Sequence, residues 1–539
     1  MSALYLGLDC STQAIKLSVI DEHLSELQEF ADVSTVTFES LGDQDGPFLA
    51  RGADGDSLSV TTPTRLWVRA FDTLLDRLKQ ANFPFDRVVA VSGSGQQHGS
   101  VYWTKGSQEK LSALDERKTF YEQSHDWFST PQSPIWMDSS THANCVELEK
   151  LVGSQQLAAL TGSVAYERFT VHQIRKIAQK TPKVMENTEE ISLVSSFLAS
   201  LLCGRYVPID WADGSGMNMM SLREKKWDVG ISQWAAASLA QDTLADKIRQ
   251  PVAAHERVGK ISEYLVRRYG FSSSCEVIAF SGDNPCSLAG VGLSLPEGEV
   301  AVSLGTSDTV FGPLLHPHPS EEGHVFVSPI DPEGYMAMLC YKNGSLTRQS
   351  IRDDYADGSW EEFDRILSST TVGNNGQIGF YFKEAEITPR SHPGYHRFDH
   401  EGKRLSEFTS PRDNVRAVVE GQFLSFWNHC EKIGLTGIKQ ILVTGGASRN
   451  TCILEVLANV FGAKVLTSSM GPNSACLGAA YRAAHGYRCL KEEKFVPFEE
   501  VVGGIVHSRS VIEPNMEAHE VYQKMLSNYE RLEGQVRFQ

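Results

Sequence analysis

Residues 4–20, LYLGLDCSTQAIKLSVI, read as an apolar strand, a turn of small hydroxyl residues and a second apolar strand. Residues 299–311, EVAVSLGTSDTVF, repeat that order, again with Ser, Thr and Asp at the turn. A tight turn of small residues can bring backbone N–H groups up to a phosphate without side-chain obstruction. Either stretch alone is an ordinary β-hairpin. Two of them, roughly 300 residues apart, match the ~250–300-residue limit of a single hydrophobic core and suggest one hairpin in each of two lobes.

Outward from the hairpins, apolar strand-like runs alternate with amphipathic helical ones, which predicts an α/β architecture. Over residues 66–80 the spacing of Leu66, Trp67, Ala70, Phe71, Leu74, Leu75 and Leu78 predicts a core-facing helix, and residues 87–93 (RVVAVSG) a buried strand after it. The chain has 539 residues, of which 41% are hydrophobic and 22% charged, as in an ordinary globular protein. A formal charge of -17 argues against a nucleic-acid partner, which needs a basic face. It does not argue against a nucleotide, because one local site of N–H groups can outweigh the global field. No run reaches the ~20 apolar residues of a membrane span. Met1 to Leu8 is too short for a signal sequence, and ten scattered cysteines without a Cys-x-x-Cys pair read as reduced thiols, so the expected compartment is the cytoplasm. The same spacing argues against structural zinc.

Two further segments bear on chemistry. ILVTGGASRN, residues 441–450, predicts a strand, a turn at Gly445 and Gly446, and a helix capped by Ser448. Those glycines suit a ligand lying on the backbone, and they equally suit helix–strand packing. IAFSGDNPCSLAG, residues 278–290, predicts a strand ending at Ser281 and a helix with Asn284 as cap and Pro285 in the first position. Asp283 then stands beside a helix N-terminus, where capping and a proton-accepting role explain it equally well.

Taken together and in this order, the four segments resemble the FGGY carbohydrate kinases, over nearly the whole chain. The resemblance implies two actin-like (ribonuclease H-like) ATPase lobes, 1–287 and 288–539, with the active site in the cleft between them. It implies ATP contacts from Ser11, Thr12 and Gln13, from Gly305, Thr306 and Ser307, and from Gly445, Gly446 and Asn450. It makes Asp283 the general base and Asp9 the carboxylate for Mg²⁺, which sheds water reluctantly and would be held through water. Asp9 also reads as a turn-stabilising residue.

The sugar side rests on GQQHGS, residues 95–100, where Gln97 and His98 follow the strand. That segment resembles the G-Q-x-H-G of the xylulokinase branch of the family, and His98 can both donate and accept hydrogen bonds to a polyol. Arg168 in YERFT and Trp360 in GSWEEF match substrate- and nucleotide-flanking positions of that branch. A salt-bridged arginine and a half-buried helix-start aromatic describe them as well. Asn284 is expected to contact a sugar hydroxyl. Trp136 and Asp138 in IWMDSS resemble a pocket element, with Ser140 where a basic residue is usual, and no direct contact is expected of Asp138. The stretch 209–220, IDWADGSGMNMM, supplies Gly214 and Gly216 to a close-packed loop near the sugar. The small-residue helix 474–485 is expected to serve lobe packing or hinge motion rather than chemistry. The branch implies D-xylulose as the acceptor. Another ketopentose such as ribulose, a silent sugar-binding homologue and an actin-like assembly protein are the alternatives.

Overall fold

The strand and helix alternation resolves into mixed α/β units in a computed structural model that describes residues 2–42, 48–51, 58–236, 244–291, 298–468, 473–503 and 509–537. One unit comprises Met1–Ser294, Phe326–Gly334 and Asn473–Ile505; the other comprises Leu295–Val325, Tyr335–Pro472 and Val506–Gln539.

In the first unit the strands are β1 (Leu4–Cys10), β2 (Ala14–Asp21), β3 (Thr35–Thr37), β4 (Val88–Gly95), β5 (Arg257–Lys260), β6 (Glu276–Ile278) and β7 (Ser281–Gly282). They lie in the order β5-β6-β4-β1-β2-β3, with β7 also paired to β4. The 4–20 hairpin forms as read, with Asp9 opposite Lys16. β1 and β7 both run parallel to β4, which sets Asp9 beside Ser94 and Gly282 beside Gly95. Parallel strands therefore deliver Asp9 and the start of the GDN segment to one carboxyl edge of the sheet, where open α/β sheets bind ligands. The helix Thr64–Gln80 buries all seven of the apolar positions read from its spacing. Each such burial contributes about 1.5–3 kcal/mol for the larger side chains.

The helix Ser474–Glu492 packs against β1 and the helix Asp283–Gly290. Its backbone is in contact with its neighbour: a Cβ on Gly478 would stand 1.9 Å from the Cys286 carbonyl oxygen, and one on Gly290 1.9 Å from that of Ser474. Residues 473–503 thus belong with the first unit, although a single cut at 287 would have given them to the second. The small residues read as lobe packing permit this backbone approach.

β8 (Glu299–Leu304), β9 (Asp308–Leu314), β10 (His324–Val327), β11 (Tyr335–Tyr341), β12 (Gln440–Thr444), β13 (Lys464–Ser468) and β14 (Arg509–Ile512) form a second sheet, ordered β10-β11-β9-β8-β12-β13-β14. β8 and β9 make the second hairpin, and β12 runs parallel to β8 just as β4 does to β1. The weak internal echo in the sequence is therefore a repeated architecture: hairpin, parallel neighbour, helix.

Two helix starts differ from expectation. The helix after β7 begins at Asp283 with Gly282 as its cap, not at Pro285 with Asn284 as cap. Proline is tolerated anywhere in a first turn, where its missing N–H has no partner to lose, so Pro285 did not fix the start. In the TGGAS segment a 3₁₀ turn, Gly446–Arg449, intervenes, and Ser448 bonds back to the Gly445 carbonyl. The cap of the helix Thr451–Phe461 is Asn450, whose Oδ1 accepts from the Ile453 N–H at 2.9 Å.

Candidate active site

Asp283 opens its helix directly after the Gly282 strand end. Its Oδ1 accepts from the Asn284 backbone N–H at 2.9 Å and the Asn284 side-chain amide at 3.2 Å. That same amide nitrogen donates to Gln97 Oε1 at 3.0 Å. Gln97 and His98 follow β4 at the same edge, and both are buried. The structure thus joins Asp283, Asn284 and Gln97, residues up to 187 positions apart, in one hydrogen-bonded chain.

His98 adopts φ +70°, a left-handed backbone that non-glycine residues seldom take and that concentrates at functional sites. Its Nδ1 lies 2.9 Å from the Gly216 carbonyl oxygen, and its own carbonyl accepts from Thr170. The ring lies 5.0 Å from Phe169 and tilted to it, and Phe169 also carries the Arg168 guanidinium at 5.9 Å, with Tyr166 at 5.4 Å. Arg168 is held by ring faces, and its buried Nε has no hydrogen-bond partner among the described residues.

Asp9 lies at the end of β1, 4% exposed, and accepts from Ser94 Oγ at 2.7 Å. Burial raises its pKa, while Ser94 and Lys16 oppose the shift. Burial, and then the neighbouring Asp9 charge, push Asp283 up to about 7, against the pull of the Asn284 and Gln97 backbone N–H groups. The two carboxylates therefore sense each other, and Asp283, which keeps some solvent contact, titrates near neutrality. A carboxylate in that range is suited to proton transfer at physiological pH.

In the first hairpin Ser11 closes the turn on the Ala14 carbonyl, Gln13 is exposed, and Thr12 accepts from the Trp136 indole N–H at 2.8 Å. Asp138 is fully occupied: Val60, Ser140, Gln173 and Lys176 all donate to it. Ser140, in place of the usual basic residue, joins that network by also accepting from Lys176.

In the second unit Thr306 and Ser307 are exposed at the tip of the β8–β9 turn, next to Gly305. Asp308 is buried and paired with Arg348 at 2.7 and 3.1 Å. Gly445 has φ +89°, and a Cβ there would meet the Leu304 carbonyl oxygen at 2.5 Å; Gly446 opens to free space. Asn450 is engaged on both sides, by its cap bond and by donation to Asp364 at 2.7 Å. Trp360 starts the helix Trp360–Ser369, 38% exposed, under the Arg352 guanidinium at 4.9 Å.

Sequence reading missed a second group of carboxylates beside Gly282 and Ser281. Asp210 caps the short helix Trp211–Ser215, accepts from the Asp213 N–H and Ser281, and meets Arg482 at 3.3 Å. Asp213 accepts from Ser195 Oγ at 2.5 Å. Gly214 and Gly216 had marked the segment, but nothing local distinguished its aspartates.

Gly282 is the point where these groups converge. A Cβ there would stand 2.5 Å from Gln97 Cγ and 2.8 Å from Asp213 Oδ1. Gly282→Ala is therefore expected to displace Gln97 and lower kcat by about 10–100-fold, since a shift of about 1 Å in a positioning group costs on that order. Steady-state kinetics beside a thermal melt check it.

Residues 132–290 match the N-terminal domain, and residues 300–487 the C-terminal domain, of the FGGY family of carbohydrate kinases. The chain is 47% identical to the mouse xylulose kinase over 535 residues, covering 98% of this chain and 94% of that protein. It is 45% identical to xylulose kinase 2 of Arabidopsis thaliana, covering 94% and 92%. Its fold is that of the Rhodospirillum rubrum xylulose kinase (TM-score 0.77, 16% identity, 99% and 98% covered) and of the Plasmodium falciparum glycerol kinase (TM-score 0.75, 14% identity, 100% and 99% covered). With both halves matched in order and near full-length relatives well above 30% identity, the chain belongs to the FGGY family of carbohydrate kinases.

Proposed function

We propose that this ATP-dependent sugar kinase is a xylulokinase, transferring the ATP γ-phosphate to the C5 hydroxyl of D-xylulose and giving D-xylulose 5-phosphate and ADP. The observation that carries the reading is the 47% identity to a xylulose kinase over 98% of the chain, with Asp283, Asn284, Gln97 and His98 gathered at one sheet edge. Asp283 takes the hydroxyl proton as the oxygen forms its bond to phosphorus and the bond to the ADP oxygen breaks. Asn284, Gln97, His98 and Arg168 hold the sugar; their mix of donors and acceptors suits hydroxyl and carbonyl groups.

Phosphoryl transfer asks little covalent work of a protein, so alignment and charge stabilisation carry catalysis. The backbone turns at Ser11, Thr12 and Gln13 and at Gly305, Thr306 and Ser307 contact the phosphates. Gly445, Gly446, Asn450 and Trp360 line the rest of the nucleotide. Mg²⁺ fits Asp9: one buried carboxylate suits an ion that keeps most of its waters and takes its other ligands from phosphates. When bound, it would neutralise phosphate charge. No described helix is long and apolar enough to cross a membrane. Ten cysteines without a Cys-x-x-Cys pair suit a reducing compartment, and we place the protein in the cytoplasm.

The test is ADP release across a panel of ketoses and polyols. D-xylulose is expected to give the highest kcat/KM, at least ~10²-fold above ribulose, because an epimer leaves buried polar groups unpaired. Equal turnover of the two would overturn the sugar assignment and leave the kinase family standing.

A further inference from the structure

Asp213 has no role in the reaction as derived so far, yet it is 1% exposed and packs against the acceptor site. Its Oδ2 takes the Ser195 hydroxyl at 2.5 Å, while Oδ1 has no hydrogen-bond partner among the described residues. Oδ1 points at the bare face of Gly282, where a Cβ would lie 2.8 Å from it. The same point lies 2.5 Å from Gln97 Cγ and 2.9 Å from Gln97 Cδ, so carboxyl and amide both border the bare face of Gly282. Gln97 Nε2 is likewise buried and unpartnered among the described residues.

The two orphaned atoms are an acceptor and a donor. An amide's two ends are nearly identical in shape, so only the polarity of its surroundings decides which way it points. For Gln97 one flank is fixed: Oε1 receives the Asn284 amide, which also donates to Asp283 Oδ1. A flipped Gln97 would set its NH₂ against that of Asn284 and turn Asn284 away from Asp283. An acceptor on the other flank penalises the flip.

Resting on the kinase reading above, we infer that Asp213 is a positioning residue that keeps Gln97 oriented with its oxygen toward Asn284, and through Asn284 aims the Asp283 carboxylate. Burial, with Asp210 and Asp283 nearby, pushes the Asp213 carboxyl well above its usual range, while Ser195 and Arg482 oppose it. An asparagine can supply the same acceptor.

The experiment is a double-mutant cycle in the full-length enzyme, with kcat read at saturating ATP and KM for ATP from an ATP titration, on whichever sugar the unaltered enzyme turns over best. That choice separates the Asp213 question from the sugar assignment. Asp213→Ala is expected to lower kcat about 10–100-fold, with KM for ATP within about twofold. Asp213→Asn is expected to restore most of the rate. Adding Gln97→Ala to Asp213→Ala should cost no more than Gln97→Ala alone, because both act through one amide. Losses that multiply, a kcat within twofold of the unaltered enzyme, or an Asp213→Asn variant as slow as the alanine would each overturn the inference. Should Asp213→Ala fail to fold, Ser195→Ala loosens the same carboxyl. A smaller loss confined to kcat supports positioning, and an unchanged kcat overturns it.

Discussion

Asp283→Asn is expected to cut kcat by about 10²–10⁴-fold, the range for losing a positioned general base, with ATP affinity nearly unchanged. The amide keeps the shape and still accepts from the Asn284 N–H, so the Gln97–Asn284–Asp283 chain survives while the proton acceptor is lost. The unaltered enzyme should lose activity on the acid side with an apparent pKa near 7, where Asp283 takes up its proton. The stability effect has the opposite sign. A carboxyl with pKa near 3.8 unfolded and about 7 folded holds more protons in the native state between those values, so stability falls as pH rises from about 4 to 7 and stays low above. Asp283→Asn removes that cost. The variant should melt higher than the parent at pH 8 and show no such gain near pH 4. A variant retaining more than about a tenth of the parental kcat would deny Asp283 the role of base.

The sequence disclosed its periodic and local features and concealed its long-range ones. The two hairpins and the apolar face of Thr64–Gln80 follow from patterns that a few residues specify, and all formed where read. Asp283 was placed at a strand end because Gly282 and the helix after it are local signals. Its pairing with Asn284 and Gln97, and Asp210's pairing with Arg482 across 272 positions, depend on which strands adjoin, which no local pattern encodes. Asp213 was invisible for that reason: its meaning comes from Gly282 and Gln97, not from WADG. The caps at Ser448 and Asn450 differ otherwise. Both residue types cap well, and the intervening 3₁₀ turn decided between them. Helix Ser474–Glu492 shows the same limit at larger scale, since small residues announce a close approach without naming the neighbour.

Arg348→Met is the second large effect, on stability. Arg348 and Asp308 are both 0% exposed and joined by two hydrogen bonds, with Gln422 as a further acceptor at 2.8 Å. Burial pushes the Asp308 carboxyl up, and Arg348, followed by the Gly305 N–H, pulls it back. Removing the arginine strands that charge, and breaking such a buried pair costs about 3–5 kcal/mol. At about 2–4 °C of Tm per kcal/mol for a unit of 150–250 residues, melting should fall by roughly 6–20 °C. The loss should shrink at low pH, where Asp308 can neutralise itself by protonation. Asp308→Leu combined with Arg348→Met should recover much of the stability, because two apolar groups leave no stranded charge. Function should not follow. The Asp308 carboxylate ties down the Gly305 N–H beside Thr306 and Ser307, so the double variant should regain its melting temperature while its KM for ATP stays raised. If KM recovered along with Tm, the pair would serve the fold alone, and the hairpin would owe its shape to its strands.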